Sequence, residues 1–152
     1  MSNAPRIEAE DDLYARDGSA WSRREAELLR QGRFGEIDIA NVIEEIESVG
    51  RSERQRLKSN YRLVIQHLLK WQYQPERRSR SWTDTIRMQR TNIESNEEDS
   101  PSLKGEAAEI VAAAYRLAKK DAADETDLPL STFPETCPYS AEQLRARDFL
   151  PE

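Results

Sequence analysis

The fold is decided by residues 52–75, which read SERQRLKSNYRLVIQHLLKWQYQP. Apolar side chains recur there at the three- and four-residue spacing of one helical face. They are Leu57, Tyr61, Val64, Ile65, Leu68 and Trp71. Ser52 followed by Gln55 is a capping-box pattern that predicts where the helix begins. Pro75 predicts its end, because the residue before a proline avoids the α region.

Two helices are predicted upstream of this stretch. The segment Ser22-Arg23-Arg24-Glu25 is a capping box, and Gly32 is placed to end that helix in a left-handed cap. Asp38 is the predicted N-cap of the next helix, which Gly50 ends or bends. Its apolar face consists of Ile39, Val42, Ile43, Ile46 and Val49.

Two more helices are predicted downstream. One begins at Ser81-Trp82-Thr83-Asp84, where an acid lies at the favourable end of the helix dipole. The other begins at Ser100-Pro101 and continues to about Ala118, since proline is well tolerated at the first helical position.

The C-terminal part differs in character. Residues 128–138 hold three prolines and no periodicity, which predicts an extended strap pinned on the helices by Leu130 and Phe133. A last capping box at Ser140 to Gln143 predicts a short final helix.

Together these segments predict an all-α fold. We expect a four-helix up-and-down bundle with a short N-terminal helix and an extended, proline-rich C-terminal strap that ends in a short helix. Residues 1–152 form one predicted domain. Within it, residues 1–11 are expected to be flexible, and residues 128–152 to pack on the bundle.

Cysteine usage and hydropathy favour a cytoplasmic protein. Cys137 is the single cysteine of the 152 residues, so no internal disulfide can form and no cysteine zinc site can be built. The N-terminus lacks the basic and apolar pattern of a signal peptide. No apolar run approaches the roughly 20 residues that span a bilayer, so no membrane association is predicted.

Charge is unevenly distributed along the chain. The net charge is −6, yet residues 51–90 carry 11 basic and 3 acidic side chains, a net of +8. The balance of the whole chain argues against nonspecific nucleic-acid binding by the entire surface. We expect the acidic flanks to neutralise much of the basic segment when the helices pack.

One candidate site is a polar cluster of Glu45, Glu47, Arg51 and His67, the only histidine. If their two predicted helices were antiparallel neighbours, a glutamate and the imidazole would suit acid–base work or metal binding. A hydrogen-bonded structural pair is the favoured interpretation. Because a second histidine and a Glu-x-x-His pair are both missing, no catalytic residue, metal or cofactor is predicted.

A second candidate site interleaves basic and aromatic side chains, which can hold phosphates and stack on bases. Its members are Lys70, Trp71, Arg77, Arg78, Arg80, Trp82, Arg87 and Arg90. The alternative interpretation places the tryptophans in the core and pairs the arginines with acidic partners. The sequence pI near 5.0 favours that alternative.

Several phrases of this sequence occur together in one known family. They are Ile43-Glu44-Glu45-Ile46-Glu47, His67-Leu68-Leu69-Lys70-Trp71, Arg78-Ser79-Arg80-Ser81-Trp82, Ser100-Pro101-Ser102-Leu103 and Cys137-Pro138-Tyr139. From about Leu13 to Pro151, the chain resembles the bacterial domain-of-unknown-function family 29, found mainly in cyanobacteria and proteobacteria. The resemblance implies a helical bundle and supplies no activity.

The functional hypothesis favoured by the sequence is a small non-catalytic module that binds another protein, with its contact surface around Arg77 to Arg90. The polarised charge would help to steer such a partner. Binding of nucleic acid or a phosphate-bearing ligand by the same residues is the alternative, and an enzymatic or metal site at Glu45, Glu47 and His67 is the third. The sequence sets no oligomeric state.

Overall fold

The computed structural model describes residues 12–152, and within that range the chain contains helices and no strand. The predicted all-α class is therefore confirmed. The helices are α1 (Leu13–Arg16), α2 (Gly18–Arg30), α3 (Ile39–Tyr73), α4 (Arg80–Asp99), α5 (Pro101–Lys104), α6 (Ala107–Thr126) and α7 (Ala141–Arg145). Short 3-10 turns lie at Phe34–Glu36, Pro75–Arg77 and Leu130–Thr132. The N-terminal segment 1–11, predicted to be flexible, lies outside the described residues.

The chain divides into two compact units, Met1–Gly50 and Arg51–Glu152. The single domain expected from chain length stays a prediction.

Helix α3 is a single helix where the sequence patterns predicted two. It runs without interruption for 35 residues through Gly50. Of the two predicted effects of Gly50, an end or a bend, the end does not occur, because Gly50 does not adopt the positive φ of a helix-ending glycine. In a helix interior, glycine costs only about 1 kcal/mol relative to alanine, which strong helix formers on both sides overcome.

Helix α2 begins earlier than predicted and ends where expected. The Asp17 carboxylate accepts the backbone N–H of Ala20 at 3.0 Å, so Asp17 caps the helix in place of Ser22. At the other end Gly32 has φ +69°. The backbone N–H of Gly32 bonds to Leu29 O and that of Arg33 to Leu28 O, which is the Schellman motif.

The boundaries of α4, α5 and α6 also differ from the sequence patterns. Helix α4 begins at Arg80, after Ser79, and not at Ser81. The helix predicted from Pro101 is divided at Gly105 and Glu106 into the four-residue α5 and the longer α6.

Unit 2 is built on three helical segments: the part of α3 after Gly50, α4 and α6. Contacts of Tyr61 with Glu97 and of Lys70 with Trp82 appear in reverse chain order, so α3 and α4 are antiparallel. Its fully buried side chains form one core. Among them are Leu57, Tyr61, Val64, Ile65, Leu68, Leu69, Ile93, Ala114, Ala118 and Leu144.

The C-terminal strap and α7 cover this core. Phe133 is buried against Tyr73, whereas Leu130 is 45% exposed, so of the two predicted anchors only Phe133 is confirmed. The Tyr115 hydroxyl donates to the Pro134 carbonyl. Helix α7 begins with the predicted capping box at Ser140, in which side chain and backbone bonds are both present.

Candidate functional site

The predicted arginine–tryptophan site is only partly a surface. Arg78 lies over the Trp71 ring, with its Cζ 4.7 Å from the ring centroid. Its Nε–H also donates to the Trp71 carbonyl at 2.9 Å, which fixes the guanidinium over the indole. The stacked pair forms at the end of α3, where the Pro75–Arg77 turn leads the chain back.

Lys70 is buried and does not contribute to that surface. It is 8% exposed, and its Nζ donates to Glu125 Oε2 at 2.6 Å. The same ammonium lies 4.6 Å from the centroid of the Trp82 ring. A cation over an indole face and against a carboxylate is well satisfied inside the protein. Lys70 and Trp82 therefore join α3 to α4 and α6.

Arg90 is also buried, and its hydrogen bonds hold the C-terminal segment against α4. The residue is 4% exposed. Its guanidinium donates to four backbone carbonyls of the C-terminal segment, at distances of 2.9 to 3.3 Å. They belong to Gln143, Leu144, Arg147 and Phe149. A helix end leaves carbonyls without partners, and this one cation satisfies several of them.

Three arginines of the predicted site remain exposed beside the stacked Arg78. Arg77 lies in the turn before α4, and Arg80 and Arg87 lie on α4 itself. The side chains of Arg80 and Arg87 are 92% and 70% exposed. Both approach Asp84, with N–O distances of 3.8 and 3.2 Å, which partly offsets their charge.

The predicted polar cluster is not assembled at one place. Glu45, Glu47, Arg51 and His67 lie on one continuous helix. Side chains of a helix meet when they are three or four positions apart, whereas about 20 separate the glutamates from His67. The antiparallel pairing of two helices on which this site depended does not occur, because those helices are halves of α3.

Each end of that cluster has its own partners. Glu45 Oε1 accepts the Tyr14 hydroxyl at 2.6 Å, and the His67 Nδ1 lies 2.8 Å from the Leu63 carbonyl, one turn earlier. Burial lowers the pKa of the His67 imidazole, although the bond to Leu63 opposes this shift. Among residues 12–152, no three side chains of His, Cys, Asp or Glu are grouped as a metal ion requires.

An ion pair that was not predicted joins α7 to α4, with its carboxylate buried. Arg145 donates from Nε and Nη2 to the two carboxylate oxygens of Glu97, at 2.7 and 2.6 Å. The Tyr61 hydroxyl donates to the same carboxylate at 3.3 Å, and burial together with Glu97 raises the pKa of Tyr61 to about 12. Nothing local in the sequence marks this pair, because its members are 48 positions apart.

Cys137 behaves as a packed side chain. It is half-buried, and its thiol lies 3.4 Å from the Tyr139 carbonyl, to which it donates. Burial raises the pKa of the thiol, which leaves little of the reactive thiolate at neutral pH.

The feature of unit 1 that stands out is an apolar stripe on α3 that the described residues leave exposed. Its members Ile39, Ile43, Ile46 and Val49 are 57%, 47%, 67% and 64% exposed. Their periodicity placed them on one apolar face of the helix, and the structure leaves that face exposed. We call these four side chains the α3 stripe. Nothing in the local sequence distinguishes them from the buried positions later in the same helix.

The packing of α1 and α2 explains why these two helices do not cover the stripe. The Trp21 indole N–H donates to Asp38 Oδ2 at 3.1 Å, and the buried Glu25 accepts the backbone N–H of Asp38. The Tyr14 hydroxyl bonds to Glu45, two turns further along α3. At about 100° per residue, Asp38 and Glu45 lie on one polar edge of α3. The first two helices thus attach to that edge and not to the apolar face.

The fold is a helical bundle. Buried polar residues such as Lys70 and Arg90 bond to other segments of the same fold and hold them together. The family model described as "Domain of unknown function DUF29" matches residues 13–150. The chain therefore belongs to the DUF29 family, in agreement with the sequence resemblance. No curated protein and no solved structure matches it. In the described part of the chain, no helix is both long and apolar enough to cross a bilayer.

Proposed function

We propose that this protein is a non-catalytic interaction module that binds another protein through the α3 stripe. The observation that carries the proposal is the exposure of four aliphatic side chains on one helical face. Large exposed apolar patches are uncommon on soluble monomers and commonly mark interaction surfaces.

The energetics of the stripe support a binding role. Burial of a Val or Ile side chain contributes about 1.5–3 kcal/mol relative to exposure. The stripe holds four such side chains, each between 47% and 67% exposed. A partner that covered them would gain several kcal/mol before the costs of association, which is enough to dominate a small interface. Few other features of the described residues offer comparable apolar area on one element.

Site-specific photo-crosslinking in native lysate tests this proposal. A photoreactive residue in place of Ile46 should give a discrete protein adduct. The same residue in place of Glu109, whose side chain is 78% exposed in unit 2, is the matched control and should not give it. Adduct formation at Ile46 should disappear with Ile43→Asp. Equal adducts at both positions, or none at Ile46, would refute the proposal.

Binding of a phosphate-bearing ligand is the second candidate function. It rests on the four exposed guanidiniums of Arg77, Arg78, Arg80 and Arg87. Two observations make it the weaker candidate. Arg78 covers one face of Trp71 and Lys70 one face of Trp82, which reduces the aromatic surface for base stacking.

Titration of labelled single-stranded and duplex DNA at low salt tests the second candidate. Binding should weaken as salt rises and be lost when Arg78→Ala and Arg80→Ala are combined. Arg56→Ala, which removes an exposed arginine outside this surface, should leave binding nearly unchanged. Absence of binding at low salt would eliminate this function and leave the protein-binding proposal intact.

A further inference from the structure

A surface cavity of about 610 Å³ lies in unit 2, between α6 and the C-terminal strap. One wall is a face of α6, on which Ala108, Val111 and Tyr115 recur at three- and four-residue spacing. The other wall consists of residues 135–137 and 139–142, from the strap to the first turn of α7. Sites for small molecules typically have volumes of about 300–1,000 Å³. The cavity therefore has room for a compound of about the size of a dipeptide.

The polar atoms of the buried wall residues are used within the fold. The Tyr115 hydroxyl donates to the Pro134 carbonyl, and the Tyr139 hydroxyl donates to Gln72 Oε1 at 2.7 Å. The Cys137 thiol donates to the Tyr139 carbonyl at 3.4 Å. Tyr115 and Tyr139 are only 2% and 5% exposed. Walls with few unused hydrogen-bonding groups offer mainly apolar surface, so they favour a ligand with an apolar body.

The exposed part of the lining carries charges of both signs. Arg116, Glu135 and Glu142 all line the cavity and are exposed. None of the three makes an ion pair among residues 12–152, so no guanidinium nitrogen of Arg116 lies within 4.0 Å of either carboxylate. Most other arginines of unit 2 do pair with a carboxylate, as Arg62 does with Asp121. The space between the unpaired cation and the carboxylates is therefore open to a ligand that carries both charges.

A ligand with a single charge fits this lining less well. An apolar carboxylate would gain Arg116 but would also approach Glu135 and Glu142, and an apolar amine would approach the guanidinium. A zwitterion places its carboxylate at the arginine and its ammonium at the glutamates while its body covers the apolar wall.

We propose that this cavity binds a small zwitterion with an apolar body, of about the size of a hydrophobic dipeptide. Arg116 binds the carboxylate, and Glu135 and Glu142 bind the ammonium. The apolar side chains of the ligand pack on Ala112 and Tyr115 of α6. The site lies in unit 2 and does not depend on the α3 stripe, so it is a function beyond the proposed binding of a protein.

Three forms of the dipeptide leucyl-phenylalanine test the charge requirement. They are the free zwitterion, the N-acetylated anion and the C-terminal amide, which is a cation. Calorimetric titration of the whole protein should show the zwitterion binding at least about 5-fold more tightly than either blocked form at low salt. High salt should reduce that difference. Equal affinities for the three forms would overturn the zwitterion assignment, and no binding of any form at millimolar concentration would overturn the site.

Two substitutions on α6 test the location. Ala112→Trp fills the cavity from an exposed position, so it should abolish binding of the zwitterion while the far-UV circular dichroism stays that of the parent protein. Arg116→Gln should lower the affinity for the zwitterion and not that for the C-terminal amide, because the amide has no carboxylate. Undiminished binding of the zwitterion to Ala112→Trp would place it elsewhere on the molecule and overturn the proposal.

Lys120→Gln is the matched control for Arg116→Gln. It removes an exposed cation one turn further along α6, outside the lining of the cavity, and should leave binding of the zwitterion unchanged. A loss as large as that of Arg116→Gln would show attraction to the general charge of the protein and overturn the assignment of Arg116.

Discussion

Arg87 and Arg90 show how differently two arginines one turn apart are used. Arg87 extends into solvent beside Asp84, whereas Arg90 bonds to four carbonyls of the C-terminal segment. The sequence placed both on one basic surface. Hydrogen bonds to a charged donor contribute about 1.5–3 kcal/mol each when they form inside a protein, so the two residues should differ sharply in their effect on stability.

Arg90→Met is predicted to lower the free energy of unfolding by at least about 3 kcal/mol, because it removes all four bonds while keeping the apolar stem. Arg87→Met should change it by no more than about 0.5 kcal/mol. Urea unfolding measures both. Trypsin should also cleave the Arg90→Met variant faster after Arg145. Equal stability of the two variants would contradict the assigned role of Arg90.

His67 gives a pH-dependent prediction. Burial lowers its pKa in the folded state, so the unfolded chain binds more protons below about pH 6.5. The stability that the neutral imidazole contributes is therefore present above that pH and is lost as pH falls through the folded-state pKa.

His67→Gln should remove this component, because it is the only histidine and glutamine does not titrate. The free energy of unfolding, measured from pH 7.5 to 5.5, should fall more steeply in the parent protein than in the variant. A constant difference between the two across this range would contradict the prediction.

At the scale of elements, Gly32 and Gly50 have opposite roles. Gly50 lies inside α3 with nothing within 4 Å of an added Cβ, whereas Gly32 ends α2 with φ +69°. Alanine is favoured over glycine in a helix interior and is strained in the left-handed region.

Gly50→Ala is therefore predicted to stabilise the protein by about 0.5–1 kcal/mol, and Gly32→Ala to destabilise it by about 1 kcal/mol. Chemical denaturation of the two variants beside the parent protein is the measurement. Destabilisation by Gly50→Ala would indicate that α3 is interrupted at this glycine.

At the scale of the whole molecule, buried apolar area is concentrated in one unit. Of the described residues 12–50, Trp21 is the only buried hydrophobic side chain, while the core of unit 2 is extensive. Local stability follows buried contacts, so regions with few of them open more readily.

Native-state hydrogen exchange should therefore show a gradient along the single helix α3. Amides of residues 39–50 should exchange through openings of lower free energy than those of residues 57–69, which contribute most of the buried positions of this helix. Mass spectrometry of peptic fragments resolves the two segments. Equal protection of both would contradict the assignment of the core to unit 2 alone.

Charge pairing across unit 2 agrees with the expectation from the sequence. Basic side chains of the middle segment pair with acidic ones that follow it, as Arg62 does with Asp121 and Arg54 with Glu106. The sequence predicted neutralisation of this kind but could not assign partners, because oppositely charged candidates are numerous and the pairs are more than 50 positions apart.

Local patterns in the sequence determined which segments are helical and where several of them end. The left-handed cap at Gly32, the stop at Pro75 and the capping box at Ser140 were all predictable, because each depends on hydrogen bonds and torsions within a few residues. The tertiary structure alone decided what covers each face. Periodicity identifies the residues that share a face of α3, but the stripe from Ile39 to Val49 is exposed and the face from Leu57 to Leu69 is buried, since burial depends on segments distant in the chain.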